Sequence, residues 1–213
     1  MVLLFNFMIK LTGWPLWKLI ARPKVYYEDK SVQSRAIKGA AIVMPNHTEV
    51  WDVAAMMFLF PCRKLRCVVA ELMYEKNAFM TFVLHALGSV RVDRNSHDFT
   101  FIAKCCKILE KGGVVEIYPE ARIPDKGATE LLPFKPSIAM LALESGAPVI
   151  PVYTDGRYFP KGHCHMIVGT PIDVREWYDE TRGETENLAA ITEQLRGKVN
   201  ELKQQLEKTI ERR

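Results

Sequence analysis

Neither of two familiar glycine-rich phosphate cradles occurs in this sequence. There is no G-x-x-x-x-G-K-[ST] loop, and no G-x-G-x-x-G follows the first strand-like run, which removes most support for nucleotide binding. A G-x-S-x-G elbow is also missing, so a serine hydrolase of that type would lack its nucleophile site. Charge of one sign is scarce: 29 Lys and Arg stand against 25 Asp and Glu, a formal +4. That excess is too small for the basic stripe of a nucleic-acid binder, and it suits contact with an anionic membrane or a phosphorylated substrate. Cysteine is sparse, with Cys62, Cys67, Cys105, Cys106 and Cys164 leaving an odd thiol and matching no zinc-ribbon spacing. They read as reduced thiols of a cytosol-facing protein. Repeats and linker-like stretches are absent, and 213 residues, 48% of them hydrophobic and 25% charged, fit one folded domain.

The first twenty residues hold no uncharged run long enough to cross a bilayer, which takes about 20 residues. Met1 to Ile20 has 14 apolar residues, but Lys10, Gly13 with Pro15, and Lys18 interrupt them. No basic residue precedes the run and no small-residue cleavage site follows, which argues against a secretory signal. Trp14 and Trp17 stand among Lys10, Lys18, Arg22 and Lys24. Indole rings favour the headgroup level and basic side chains favour anionic lipid, so residues 1–23 are expected to form one or two short helices lying in one leaflet. Packing on the protein's own core is the plainer alternative.

Residues 24–180 alternate strand-like and helix-like segments. Strands are expected at Lys24–Tyr27 (an edge), Ala40–Met44, Arg66–Ala70, Val90–Val92, Val114–Tyr118, Val149–Tyr153 and Cys164–Val168. Helices are expected at Asp52–Phe60, Asn77–Leu87, His97–Glu110 and Lys135–Glu144. The alternation predicts a single α/β domain with a mixed, largely parallel sheet flanked by helices. Residues 181–213 differ: Ile191, Leu195, Val199, Leu202, Leu206 and Ile210 mark one apolar face of a long amphipathic helix, covering the sheet or a partner subunit in a homodimer.

One segment carries candidate chemistry. Pro45-Asn46-His47-Thr48-Glu49-Val50-Trp51-Asp52 follows a buried strand, at the carboxyl end where open α/β sheets bind ligands. A turn there brings Asp52 within reach of the His47 imidazole, and a carboxylate on one ring nitrogen raises the basicity of the other. Three further segments follow in order: Gly88-Ser89-Val90-Arg91-Val92-Asp93-Arg94, Val115 to Arg122 with Pro119-Glu120-Ala121-Arg122, and Val149-Ile150-Pro151-Val152. The internal proline of the last suggests an edge strand or an irregular site.

With these four blocks, the sequence resembles the glycerophospholipid acyltransferase family, in particular 1-acyl-glycerol-3-phosphate acyltransferases, over roughly Lys24 to Val168. The blocks correspond to N-H-x-x-x-x-D, a glycine-to-arginine block, a P-E-G block with a basic residue, and an apolar block with proline. The resemblance implies acyl transfer from a thioester to the hydroxyl of a lysophosphatidic-acid-like acceptor, with His47 as general base and Asp52 as its orienting carboxylate. It places Arg94 and Arg122 as phosphate clamps, with Glu120 orienting Arg122 or binding a hydroxyl. Asn46, Ala121 and Pro151 complete the substrate-binding set. The donor is an acyl-CoA or acyl-carrier-protein substrate, no cofactor or metal is implied, and the protein is expected to be peripheral or monotopic on the cytoplasmic face of a membrane. Two departures, Ala121 for the usual glycine and Lys135-Pro136-Ser137 for the usual lysine-glycine pair, bear on acceptor identity more than on reaction type. The competing readings are acylation of another lysophospholipid or lipid acceptor, and a non-catalytic lipid-binding protein of the same fold. Among other groups, His163 and His165 read as an exposed polar face rather than a metal pair, His97 as part of a helix's first turn, and Lys104, Lys107 and Lys111 as a solvated helix side. Cys105 reads as a buried thiol.

Overall fold

The computed structural model describes residues 2–93, 100–125, 130–159 and 163–212. In chain order the elements are α1 (Val2–Ile20), β1 (Lys24–Tyr27), β2 (Ala41–Pro45), α2 (Asp52–Leu59), β3 (Leu65–Ala70), α3 (Glu71–Glu75), α4 (Ala78–Leu87), β4 (Val90–Val92), α5 (Thr100–Glu110), β5 (Val114–Glu116), α6 (Ser137–Ser145), β6 (Val149–Thr154), β7 (His165–Val168) and α7 (Glu184–Glu211). A 3₁₀ turn at Val174–Trp177 precedes α7.

The strands form one seven-stranded sheet in the order β1-β7-β6-β2-β5-β3-β4. All pairings are parallel except β6 with β7. β2 lies fourth and is buried along its whole length, as expected of a continuous apolar strand covered on both faces. Its side chains alternate between two cores. Ala41 and Val43 pack with α2 and the end of α1, while Ile42 and Met44 pack with α5, α6 and α7.

The sequence-based expectation for Pro151 is corrected here: β6 is an interior strand, paired with β2 on one side and β7 on the other. The proline is tolerated because β7 ends at Val168, opposite Val152, so Pro151 sits where that ladder stops. Its carbonyl still accepts from the Gly169 amide at 2.8 Å. The long tail helix resolves the other open choice. Ile191, Leu195, Val199, Leu202 and Leu206 of α7 are all buried, and the helix lies on β6, β7 and α6 of its own chain.

The amino-terminal segment is a single 19-residue helix with Pro15 inside it. Two residues read as lipid-facing instead hold it to the domain. Trp17 is buried and stacks on Phe58 of α2 at 5.6 Å. Lys10 donates to the carbonyls of Phe60, Pro61 and Arg63, just past the end of α2, where a helix has unpaired acceptors. Burial pushes the Lys10 ammonium down to about 8, against the pull of Cys62 and Glu116. The opposite side of α1 stays open, with Phe7, Leu11, Leu16 and Leu19 exposed, and Trp14 carries Lys18 over its ring at 5.3 Å. Among the described residues, no helix is long and apolar enough to cross a membrane.

Candidate active site

The carboxyl ends of β2, β5 and β6 are neighbours in the sheet, and the segments leaving them build one cluster. β2 ends at Pro45, and the chain turns through 46–51 before α2 begins at Asp52. The Asp52 carboxylate is fully buried and folds back into that turn. Oδ2 lies 2.6 Å from His47 Nδ1 and accepts from the amides of Thr48 at 2.6 Å and Glu49 at 2.8 Å. Oδ1 accepts from the Thr48 hydroxyl and from the Tyr158 phenol, each at 2.7 Å. Five donors therefore surround one carboxylate, which compensates the loss of water around its charge. A carboxylate can only accept, so the Nδ1 proton of His47 points at Asp52 and Nε2 is left with its lone pair. The His47 side chain is 14% exposed, and no hydrogen-bond partner occupies Nε2 among the described residues.

The segment after β5 supplies the second wall. The Tyr118 ring lies 4.5 Å from the imidazole, tilted by 33°, and its hydroxyl donates to Glu116 at 2.6 Å. Glu120 is buried, and both its oxygens are engaged: Oε1 accepts from the His47 amide at 2.8 Å and Oε2 from the Leu132 amide at 3.0 Å. Glu120 thus holds the backbone under His47. Burial raises its carboxyl above the ordinary range, with the two amides and His47 opposing and Asp52 adding to the rise. Ala121 follows at φ +58, a left-handed conformation that favours glycine for backbone reasons alone. Glycine at this position is thereby explained without a phosphate approaching it. Ala121→Gly is expected to stabilise the fold by a net of about 0.5–1 kcal/mol, read by thermal melting.

The third wall comes from β6 and the loop after it. Asn46 pairs its amide with the Thr154 backbone, donating to the carbonyl at 3.0 Å and accepting from the amide at 2.8 Å. Both ends of this side chain are spent on joining β2 to β6. Gly156, at φ +68, lies so close to Thr48 that an added Cβ would fall 2.5 Å from its Oγ1. Pro151 lies within the sheet, buried against Gly169 rather than in the cluster. Arg122 is exposed two residues beyond Glu120, and Arg94 and His97 lie outside the described residues.

Glu116 is the other buried carboxyl here. Burial pushes it from 4.5 to about 8, with Asp52 adding to the rise and the Tyr118 hydrogen bond and Lys10 opposing it. Between those values the folded protein keeps a proton that the unfolded chain has released, so this contribution is complete below 4.5 and is lost as pH rises to about 8. Glu116→Gln is expected to flatten that part of the melting-temperature profile.

Thr48, Tyr118, Gly156 and Tyr158 were not singled out by the sequence. Tyr118 stands in the quoted third block, but Tyr158 is 106 residues from its partner Asp52, and no local pattern marks it. The reading of His165 as an exposed polar residue is also corrected. It opens β7 buried, with Nδ1 2.8 Å from Asp155 Oδ2. Among the described residues, no group of three or more His, Cys, Asp or Glu is placed to hold a metal ion.

Comparison with known proteins bears on this arrangement. The chain is 27% identical over 112 residues to a human 1-acyl-sn-glycerol-3-phosphate acyltransferase beta, covering 52% of this chain and 40% of that protein. It is 26% identical over 137 residues to a 1-acyl-sn-glycerol-3-phosphate acyltransferase of Bacillus subtilis, covering 62% of this chain and 66% of that protein. These alignments span less than two thirds of either relative. The crystal structure of the 1-acyl-sn-glycerophosphate (LPA) acyltransferase PlsC from Thermotoga maritima has the same fold, with a TM-score of 0.66 at 21% identity over 93% of this chain and 79% of that one. The Acyltransferase family model matches residues 22–155, which contain His47, Asp52 and Glu120, and the chain belongs to that family.

Proposed function

We propose that this chain is an O-acyltransferase that moves a fatty acyl group from an acyl thioester to the free hydroxyl of a 1-acyl-glycerol-3-phosphate, forming phosphatidic acid. The observation that carries the reading is the His47–Asp52 pair at the carboxyl end of the central strand, with Nδ1 fixed and no partner on Nε2 among the described residues. The acceptor hydroxyl gives its proton to Nε2 as its oxygen attacks the thioester carbonyl. The carbon–sulfur bond then breaks, and the departing thiolate takes the proton from the imidazolium. Asp52 holds the ring and stabilises the imidazolium between these events. A thioester is reactive enough that placement plus a base can supply the rate without an acyl-enzyme. Arg122, exposed beside Glu120, and Arg94 are assigned to the acceptor phosphate, since guanidinium forks match phosphate oxygens.

The reading places the protein on the cytoplasmic face of a membrane. Supporting contact with a membrane are the exposed apolar side chains of α1, the exposed Phe79 and Phe82 of α4, and the T-shaped contact of Phe82 with Phe5 at 6.0 Å. Val50 and Trp51 are also exposed in the turn between His47 and Asp52, and Trp51 meets Phe159 edge-on at 5.3 Å. The apolar face of α7 is used within the chain.

The test is an acceptor panel on lipid vesicles: lysophosphatidic acid, other lysophospholipids, and an amino-acid-linked lipid. Each acceptor is supplied with acyl-CoA and with acyl-carrier-protein thioester, and products are read by mass spectrometry. Preferred acylation of lysophosphatidic acid is expected. Preference for another acceptor replaces the substrate assignment, and no turnover with any pair leaves a lipid-binding protein.

A further inference from the structure

Asp52 receives one donor from far along the chain. Tyr158 is fully buried. Its hydroxyl is 2.7 Å from Asp52 Oδ1 and 3.2 Å from the Thr154 hydroxyl, and its ring lies 5.3 Å from Trp17 of α1. The loop that carries it is pinned to the catalytic turn at two further points. Thr154 pairs with the Asn46 amide, and Gly156 backs directly onto Thr48. The end of β6 is therefore registered against the His47–Asp52 turn at three levels, with the phenol at the carboxylate.

We infer that Tyr158 is a positioning residue of the transfer reaction, setting the orientation and charge of Asp52 and, through it, the basicity of His47. The inference rests on the assignment of His47 as base. A carboxylate shared among five donors has its charge spread over all of them, and each donor removed leaves more of it for the imidazolium. With the phenol in place, Asp52 aligns the ring without holding the proton so tightly that the neutral base is lost. The other titratable groups facing the pair are Tyr118 and Glu116 from β5 and the turn after it, Glu120 from the next turn, and Cys164 from ahead of β7. α1 presents the uncharged Trp17 to Tyr158.

The experiment compares Tyr158→Phe with the unaltered chain. Phenylalanine keeps the ring against Trp17, and a thermal melt confirms folding. We expect kcat to fall about tenfold, because a carboxylate no longer fixed at Oδ1 misaligns the imidazole, with KM for acceptor and thioester little changed. The acid limb of the pH–rate profile is expected to move to higher pH, because the imidazolium is held more tightly. Adding Tyr158→Phe to Asp52→Asn is expected to cost no further activity, since the phenol acts only through the carboxylate. A wild-type kcat and acid limb in Tyr158→Phe, or full additivity in the double variant, overturns the inference and leaves the His47 assignment standing. Near-normal activity in His47→Ala removes the assignment on which the inference rests. If Tyr158→Phe fails to fold, Gly156→Ala is read the same way: it displaces the loop from Thr48, and an unchanged acid limb in it counts against the inference.

Discussion

His47→Ala is expected to lower turnover at least about a hundredfold while leaving the fold intact, because a positioned general base is typically worth 10²- to 10⁴-fold. The structure explains why the two effects separate. The imidazole is partly exposed, and among the described residues its side chain makes one hydrogen bond, to Asp52. When the ring is removed, Asp52 keeps four other donors, so no buried charge is stranded. The backbone under His47 is held by Glu120 through the amide, which alanine retains. Melting curves within a few degrees of the parent, together with the loss of acyl transfer in a steady-state assay, are the expected pair of results. Substantial residual transfer requires a different base.

Asp52→Ala is expected to cost both activity and stability. The carboxylate is fully buried and is the acceptor for two amides, two hydroxyls and the ring. With alanine, those donors face one another across a small void. The hydroxyls can rotate toward other partners, but the Thr48 and Glu49 amides cannot. A loss of roughly 2–4 kcal/mol follows from stranding several donors at once, corresponding to a melting temperature lower by about 5–15 °C for a chain of this size. Turnover falls as well, because an imidazole without its partner loses its fixed tautomer and its support as a cation. The contrast between the two alanine variants is more informative than either alone. The histidine variant is folded and inactive, and the aspartate variant is inactive and loosened. Differential scanning calorimetry alongside the transfer assay reads both.

Much of the fold could be read because its signals are local. The buried run that became β2, the glycine pair after α5 and the three-and-four spacing of apolar residues in α7 each depend on neighbours within a few positions. The observed ends differ from the expected ones by one or two residues at most elements, as at β3 and β6, where fraying and ladder ends decide. The one-turn helix α3 leaves no mark in the sequence because Glu71–Glu75 is too short to show a period. His47 and Asp52 were legible for the same reason as the strands: they are five residues apart on one turn.

What escaped depends on which strands lie side by side. Glu120 reaches the His47 amide only because β5 pairs with β2, and Tyr158 reaches Asp52 only because β6 lies on the other side of β2. Pro151 looked like an edge signal because a proline costs a ladder bond, yet the cost vanishes where the neighbouring strand stops. Trp17 and Lys10 carry lipid-seeking chemistry, but their places on α1 turn them toward α2 instead. Composition identifies what a side chain favours, and the direction in which it points is fixed by packing.

The central claim is that the His47 imidazole accepts the proton of the acceptor hydroxyl. The direct measurement is kcat as a function of pH, at saturating lysophosphatidic acid and thioester, in the parent and in His47→Ala. The account predicts that the rate of the parent falls on the acid side as the base becomes protonated, and that this limb is absent from the residual rate of the variant. The same acid limb persisting in His47→Ala would contradict it.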